Sequence, residues 1–71
     1  MEIRYDKEAD AMYIQFQKGE FARNKKIDDF TIVDFDKKDN ILGIEVLDAS
    51  KRIPKESLSK VNVKNMIAVV N

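Results

Sequence analysis

The chain has no cysteine and no histidine among its 71 residues, and only two glycines and one proline. Without either ligand type, no disulfide and no structural zinc site can brace it. The missing imidazole also removes the commonest general base and the Ser-His-Asp arrangement. Thiol nucleophiles are excluded with the cysteines. Ser50, Ser57 and Ser59 are the only serines, and none has a base visible in the sequence. Gly19 and Gly43 stand alone, so no glycine-rich loop cradles a phosphate. The longest apolar run, Met66 to Val70, is far short of the ~20 residues that span a bilayer. Met1-Glu2-Ile3-Arg4 alternates in polarity and lacks the apolar h-region of a signal peptide. These absences predict a soluble cytoplasmic protein that is not an enzyme, with no catalytic residue, no cofactor and no metal.

What is present is a globular balance. Hydrophobic residues make up 44% of the chain at zero net charge, which argues against disorder. Seventy-one residues form a single domain, 1–71. A domain of this size buries only roughly 60% of its unfolded surface. Its whole stability is on the order of 4–11 kcal/mol. A thin, unstapled core predicts a homo-oligomer. The zero net charge conceals a division. Residues 1–50 carry eight basic and twelve acidic side chains, a net of −4. Residues 51–71 carry five basic side chains against Glu56, a net of +4. An acidic body with a basic end suits self-association or an anion-binding tail, or is a solvated surface that segregates by sign.

Period-2 patterns dominate the chain. Ile3 and Tyr5 alternate with Glu2 and Arg4; Met12, Ile14 and Phe16 alternate with Tyr13, Gln15 and Gln17. With the polar stretch Asp6 to Asp10 between them, these read as a hairpin. Gly19 ends the second strand. Phe21 to Ile27 reads as a lysine-bearing edge strand, and lysine at an edge discourages unwanted pairing. Asp28-Asp29 marks a turn. Phe30 to Phe35 is apolar on both faces, as expected for a central strand covered on both sides. Asp36 to Asn40 is a turn and Ile41 to Leu47 a further strand, so this pair reads as a second hairpin. Asp48 or Ser50 can cap a short turn through Lys51-Arg52. Pro54 suits a helix start, which places a short helix over Lys55 to Lys60. Val61 to Val70 alternates loosely and reads as a last strand. The expected fold is α+β: an antiparallel β-meander of about 4–5 strands with one short helix near the C-terminus.

Two carboxylate clusters are the remaining places for chemistry. Asp6, Glu8 and Asp10 have spacing two and could ring a hard cation from a loop. Asp34, Asp36 and Asp39 open like a calcium loop but lack its glycine and closing glutamate. Both clusters read first as turns or solvated edges. Nucleic-acid binding through Lys51, Arg52, Lys55, Lys60 and Lys64 is the alternative function. No aromatic follows Phe35 to stack a base, so only salt-sensitive phosphate contacts are expected.

Two stretches carry a resemblance. Tyr5-Asp6-Lys7-Glu8-Ala9-Asp10-Ala11-Met12-Tyr13-Ile14 is similar to the opening Y-D-x-E-A-D-x-x-Y-I of a family of short prokaryotic proteins, domain of unknown function 2283. Its second hallmark, strand, acidic turn and strand, resembles Ile32 to Asp36 and Asn40 to Ser50. The resemblance covers roughly 1–52 and leaves 53–71 as a basic C-terminal extension outside it. It implies no activity, since the family has none assigned. Genes of such proteins often lie beside genes for small toxin-like proteins, which implies an antitoxin-like role at family level.

The residues and the resemblance together predict a non-enzymatic protein-interaction module, antitoxin-like, with a protein partner encoded by a neighbouring gene. The expected contact residues are Lys51, Arg52 and Lys55 at the basic end, and Asp34, Asp36 and Glu45 on the acidic hairpin.

Overall fold

A computed structural model of the chain describes residues 1–64. It contains five strands and two short helices: β1 (Glu2–Asp6), β2 (Ala11–Gln15), β3 (Arg23–Asp28), β4 (Thr31–Phe35), β5 (Ile41–Val46), α1 (Ala49–Arg52) and α2 (Lys55–Leu58). All strands lie in one antiparallel sheet of order β1-β2-β5-β4-β3. The α+β class and the meander-like order follow the alternation read from the sequence. The first hairpin does not continue into β3, however. It joins the β3-β4-β5 meander through β2 and β5, and residues 16–22 carry the chain across to the far edge. Backbone bonds anchor both ends of that crossing, Phe16 N to Leu42 O at 2.8 Å and Ala22 N to Phe35 O at 2.8 Å. β5, rather than β4, is therefore the middle strand.

Aspartates build the turns. Asp6 Oδ1 accepts from the backbone N–H groups of Glu8 and Ala9, and Asp28 Oδ1 accepts from Phe30 N at 2.8 Å. Asp36 Oδ1 accepts from Lys38 N and Asn40 N, both at 2.9 Å, and Oδ2 accepts from Asn40 Nδ2. Asp10, Asp39 and Asp48 all take positive φ, a conformation their short polar side chains tolerate better than most L-residues. Phe30, expected as the first residue of β4, lies in the two-residue turn that joins β3 to β4.

The C-terminal part departs from expectation. Two short helices stand where one was expected, because Ile53 is extended and Pro54 restarts the chain at Lys55. The second ends at Leu58 rather than Lys60. Residues 61–64 carry no strand, so the first part of the expected last strand is absent; the rest of it lies outside the described residues. Among the described residues only Val33, Leu42 and Ala49 are buried hydrophobics. The core is as thin as the chain length implies. No helix of the described chain is long and apolar enough to cross a membrane.

Candidate protein-interaction face

Register sorts the strand residues onto two unlike faces. Residues directly opposite in an antiparallel pair share a face. One face carries the rows Ile3–Ile14–Ile44–Val33 and Tyr5–Met12–Val46–Thr31. The other carries Arg4–Tyr13–Glu45–Ile32–Lys26 and Glu2–Gln15–Gly43–Asp34–Asn24. The second face is polar, and its centre is organised around one aromatic ring.

Tyr13 lies half-buried across that centre. Its hydroxyl donates to Asp34 Oδ2 at 3.3 Å, and the Arg4 guanidinium stands 5.2 Å from the ring centroid. The ring can lie flat because position 43 has no side chain: a Cβ there would sit 2.6 Å from the Tyr13 Cζ and 2.6 Å from the Ile14 carbonyl oxygen. Gly43 is thus required by close approach rather than by turn geometry. Partial burial holds the Tyr13 phenol above its ordinary value, reinforced by the Asp34 charge and hydrogen bond. Glu45, opposite Tyr13 on β5, adds a further negative charge beside it.

Of the six residues singled out from the sequence, Asp34 and Glu45 flank this ring. Asp36 is separate, held in its own turn by Lys38 and Asn40, and those bonds lower its pKa from the ordinary carboxyl value. Lys51 and Arg52 lie on α1, and Lys55 opens α2. Arg52 is engaged within the fold: it stands 5.1 Å from the Phe30 ring centroid and 3.9 Å from Asp28 Oδ1. The basic residues and the acidic hairpin do not form one constellation.

The carboxylates Asp6, Glu8 and Asp10 do not converge either. Asp6 faces its own turn, while Asp10 turns toward the helical segment. Among the described residues no three acidic side chains are grouped to hold a metal ion. Asp10 forms the contact that sequence reasoning missed. Its Oδ1 accepts from Tyr5 Oη at 2.7 Å and Ser50 N at 2.9 Å, and its Oδ2 accepts from Ser50 Oγ at 2.7 Å. Its backbone oxygen also accepts from Ala49 N at 2.9 Å. Those bonds hold the Asp10 carboxyl below its ordinary range and push the Tyr5 phenol up. This latch ties the first hairpin to α1, and it buries Ala49 completely.

The latch also joins the two stretches that carry the family resemblance, Tyr5 and Asp10 from the first and Ala49 and Ser50 from the second. The family model described as Protein of unknown function (DUF2283) matches residues 2–50. The chain belongs to this family. The matched region contains the whole sheet and the latch, and it ends within α1. No curated protein and no solved structure matches the chain.

Proposed function

We propose that this member of the family is a non-enzymatic interaction module that works by covering a protein partner with the polar face of its sheet. The observation that carries the reading is the Tyr13 centre: an aromatic ring and an arginine fixed on rigid strands of a sheet. Tyrosine and arginine dominate the energetics of protein interfaces when held in place and surrounded by polar groups that exclude water. The strands put Glu2, Asp6, Asp34 and Glu45 on this face against Arg4 and Lys26. The negative excess suits a basic partner and speeds its encounter.

An antitoxin-like role follows as the finer proposal: the partner is a small basic toxin encoded by a neighbouring gene. Coexpression of the gene pair with a tag on the partner tests it. A complex that survives purification is expected. It should be lost on Tyr13→Ala and on Glu45→Arg, with each variant's circular dichroism unchanged. Recovery of only the free protein from the parent pair refutes the reading. Nucleic-acid binding through Lys51 and Lys55 is less favoured, because Arg52 between them is already engaged by Phe30 and Asp28.

A further inference from the structure

The opposite face of the sheet raises a separate question. Its two rows, Ile3–Ile14–Ile44–Val33 and Tyr5–Met12–Val46–Thr31, contain no charged side chain across four strands. Charge appears only on the edge strand, where Lys25 continues the first row and Asp28 the second. Ile3 remains 41% exposed and Tyr5 39%, and Met12, Ile14, Ile44 and Val46 are half-buried. Among the described residues the dominant contacts between elements are strand to strand, and α1 borders one end of the second row, with Ser50 at Asp10 and Arg52 at Asp28. Lys55 and Leu58 of α2 lie beside Tyr5.

A sheet with one apolar face needs a second layer. We infer that the second layer is another copy of this chain, apolar face against apolar face, making a two-fold symmetric sandwich of two five-stranded sheets. Charge and area both favour this occupant. A face without charge in its interior meets its own copy with no like-charge repulsion, whereas a face bearing net charge would repel itself. Five strands about 4.8 Å apart and five residues long at about 3.4 Å per residue give a plan area of roughly 400 Å². Two such faces, with side-chain relief, withdraw on the order of 1,000 Å² from water, the threshold for a specific interface. Aligned packing of twisted sheets accommodates the contact at about −30°. An isologous pairing closes on itself as a dimer. It also leaves each polar face outward, so a dimer presents two Tyr13 centres.

Sedimentation equilibrium of the full chain over a range from micromolar to millimolar tests this, with Ile3→Glu and Glu45→Arg as variants. Ile3 is exposed on an edge strand, so its replacement spares the fold, which circular dichroism verifies. The parent is expected to be a dimer, and Glu45→Arg to leave the mass unchanged. Ile3→Glu buries an unpaired carboxylate in the contact and should weaken the dimer on the order of 100-fold. A parent that is monomeric at every concentration overturns the inference. So does a dimer that resists Ile3→Glu or that falls apart on Glu45→Arg. A spin label on Ile3→Cys, in a chain with no other cysteine, gives an independent reading. It should broaden the Ile14 and Ile44 methyl signals of unlabelled subunits in mixed dimers, and broadening confined to strand-edge amides would point to edge pairing and overturn it.

Discussion

The two glycines provide the sharpest test of how this sheet packs, because only their surroundings distinguish them. At an unobstructed strand position, alanine gains about 0.5–1 kcal/mol over glycine through reduced unfolded-state freedom. At Gly43 a Cβ would meet the Tyr13 ring and the Ile14 carbonyl oxygen, the latter at 2.6 Å and part of the β2–β5 ladder. A backbone carbonyl cannot swing aside as a side chain can. Overpacking of this kind costs about 1–3 kcal/mol. Subtracting the entropic gain leaves a loss centred near ~1 kcal/mol, and at most about 2.5 kcal/mol, for Gly43→Ala, or a fall in Tm of roughly 4–8 °C per kcal/mol for a domain of this size. At Gly19 the closest atom is a terminal methyl of Leu42, 2.7 Å away, which can rotate. Gly19→Ala should therefore lie within about 0.5 kcal/mol of the parent. Urea denaturation at one fixed protein concentration measures both, since self-association would make stability concentration-dependent. A Tyr13→Ala, Gly43→Ala double-mutant cycle should show coupling of about 1 kcal/mol, because removing the ring removes one of the two obstructions. The reasoning fails if Gly43→Ala is as stable as the parent, if Gly19→Ala costs more than Gly43→Ala, or if the coupling is absent.

Two other stability predictions follow from the same geometry. Leu42→Ala, at one of the three hydrophobic positions buried among the described residues, should cost about 2–3 kcal/mol, a large share of the total; an unchanged denaturation midpoint would show that Leu42 is not core. Stability should also form a plateau in pH. Hydrogen bonds hold the Asp10, Asp28 and Asp36 carboxyls below their ordinary 3.8 in the fold, so their contribution is complete above that value and is lost as pH falls through the folded pKa values. Tyr5 and Tyr13 are raised above 10.0, so their contribution is complete below pH 10 and is lost as pH rises further. Midpoints of urea unfolding between pH 2 and 11 check both limbs, and a flat acid limb would contradict the hydrogen bonding assigned to the three aspartates.

Local rules made much of this protein readable from its residues alone. The alternation of Ile3 and Tyr5, of Met12 and Ile14, and of Leu42, Ile44 and Val46 placed β1, β2 and β5, because side-chain period is a property of a single strand. The aspartates placed the turns, because their side chains bond the backbone within two to four residues. The absence of histidine and cysteine, and the outline of the family, were likewise open to direct inspection. Tertiary structure decided the rest. Nothing local indicates that β2 joins β5 rather than β3, since that choice depends on where residues 16–22 lead the chain. Asp10 and Ser50 are forty residues apart, and only the closed sheet brings them together. Asp34 and Glu45 looked like parts of one acidic hairpin with Asp36; the pleat sets the first two beside Tyr13 and leaves Asp36 in its turn. Gly43 stood out in the sequence only as an isolated glycine; the folded sheet lays the ring of Tyr13 over it. Period and turn chemistry act within a few residues, whereas sheet order and the meeting of distant side chains are settled only when the whole chain packs.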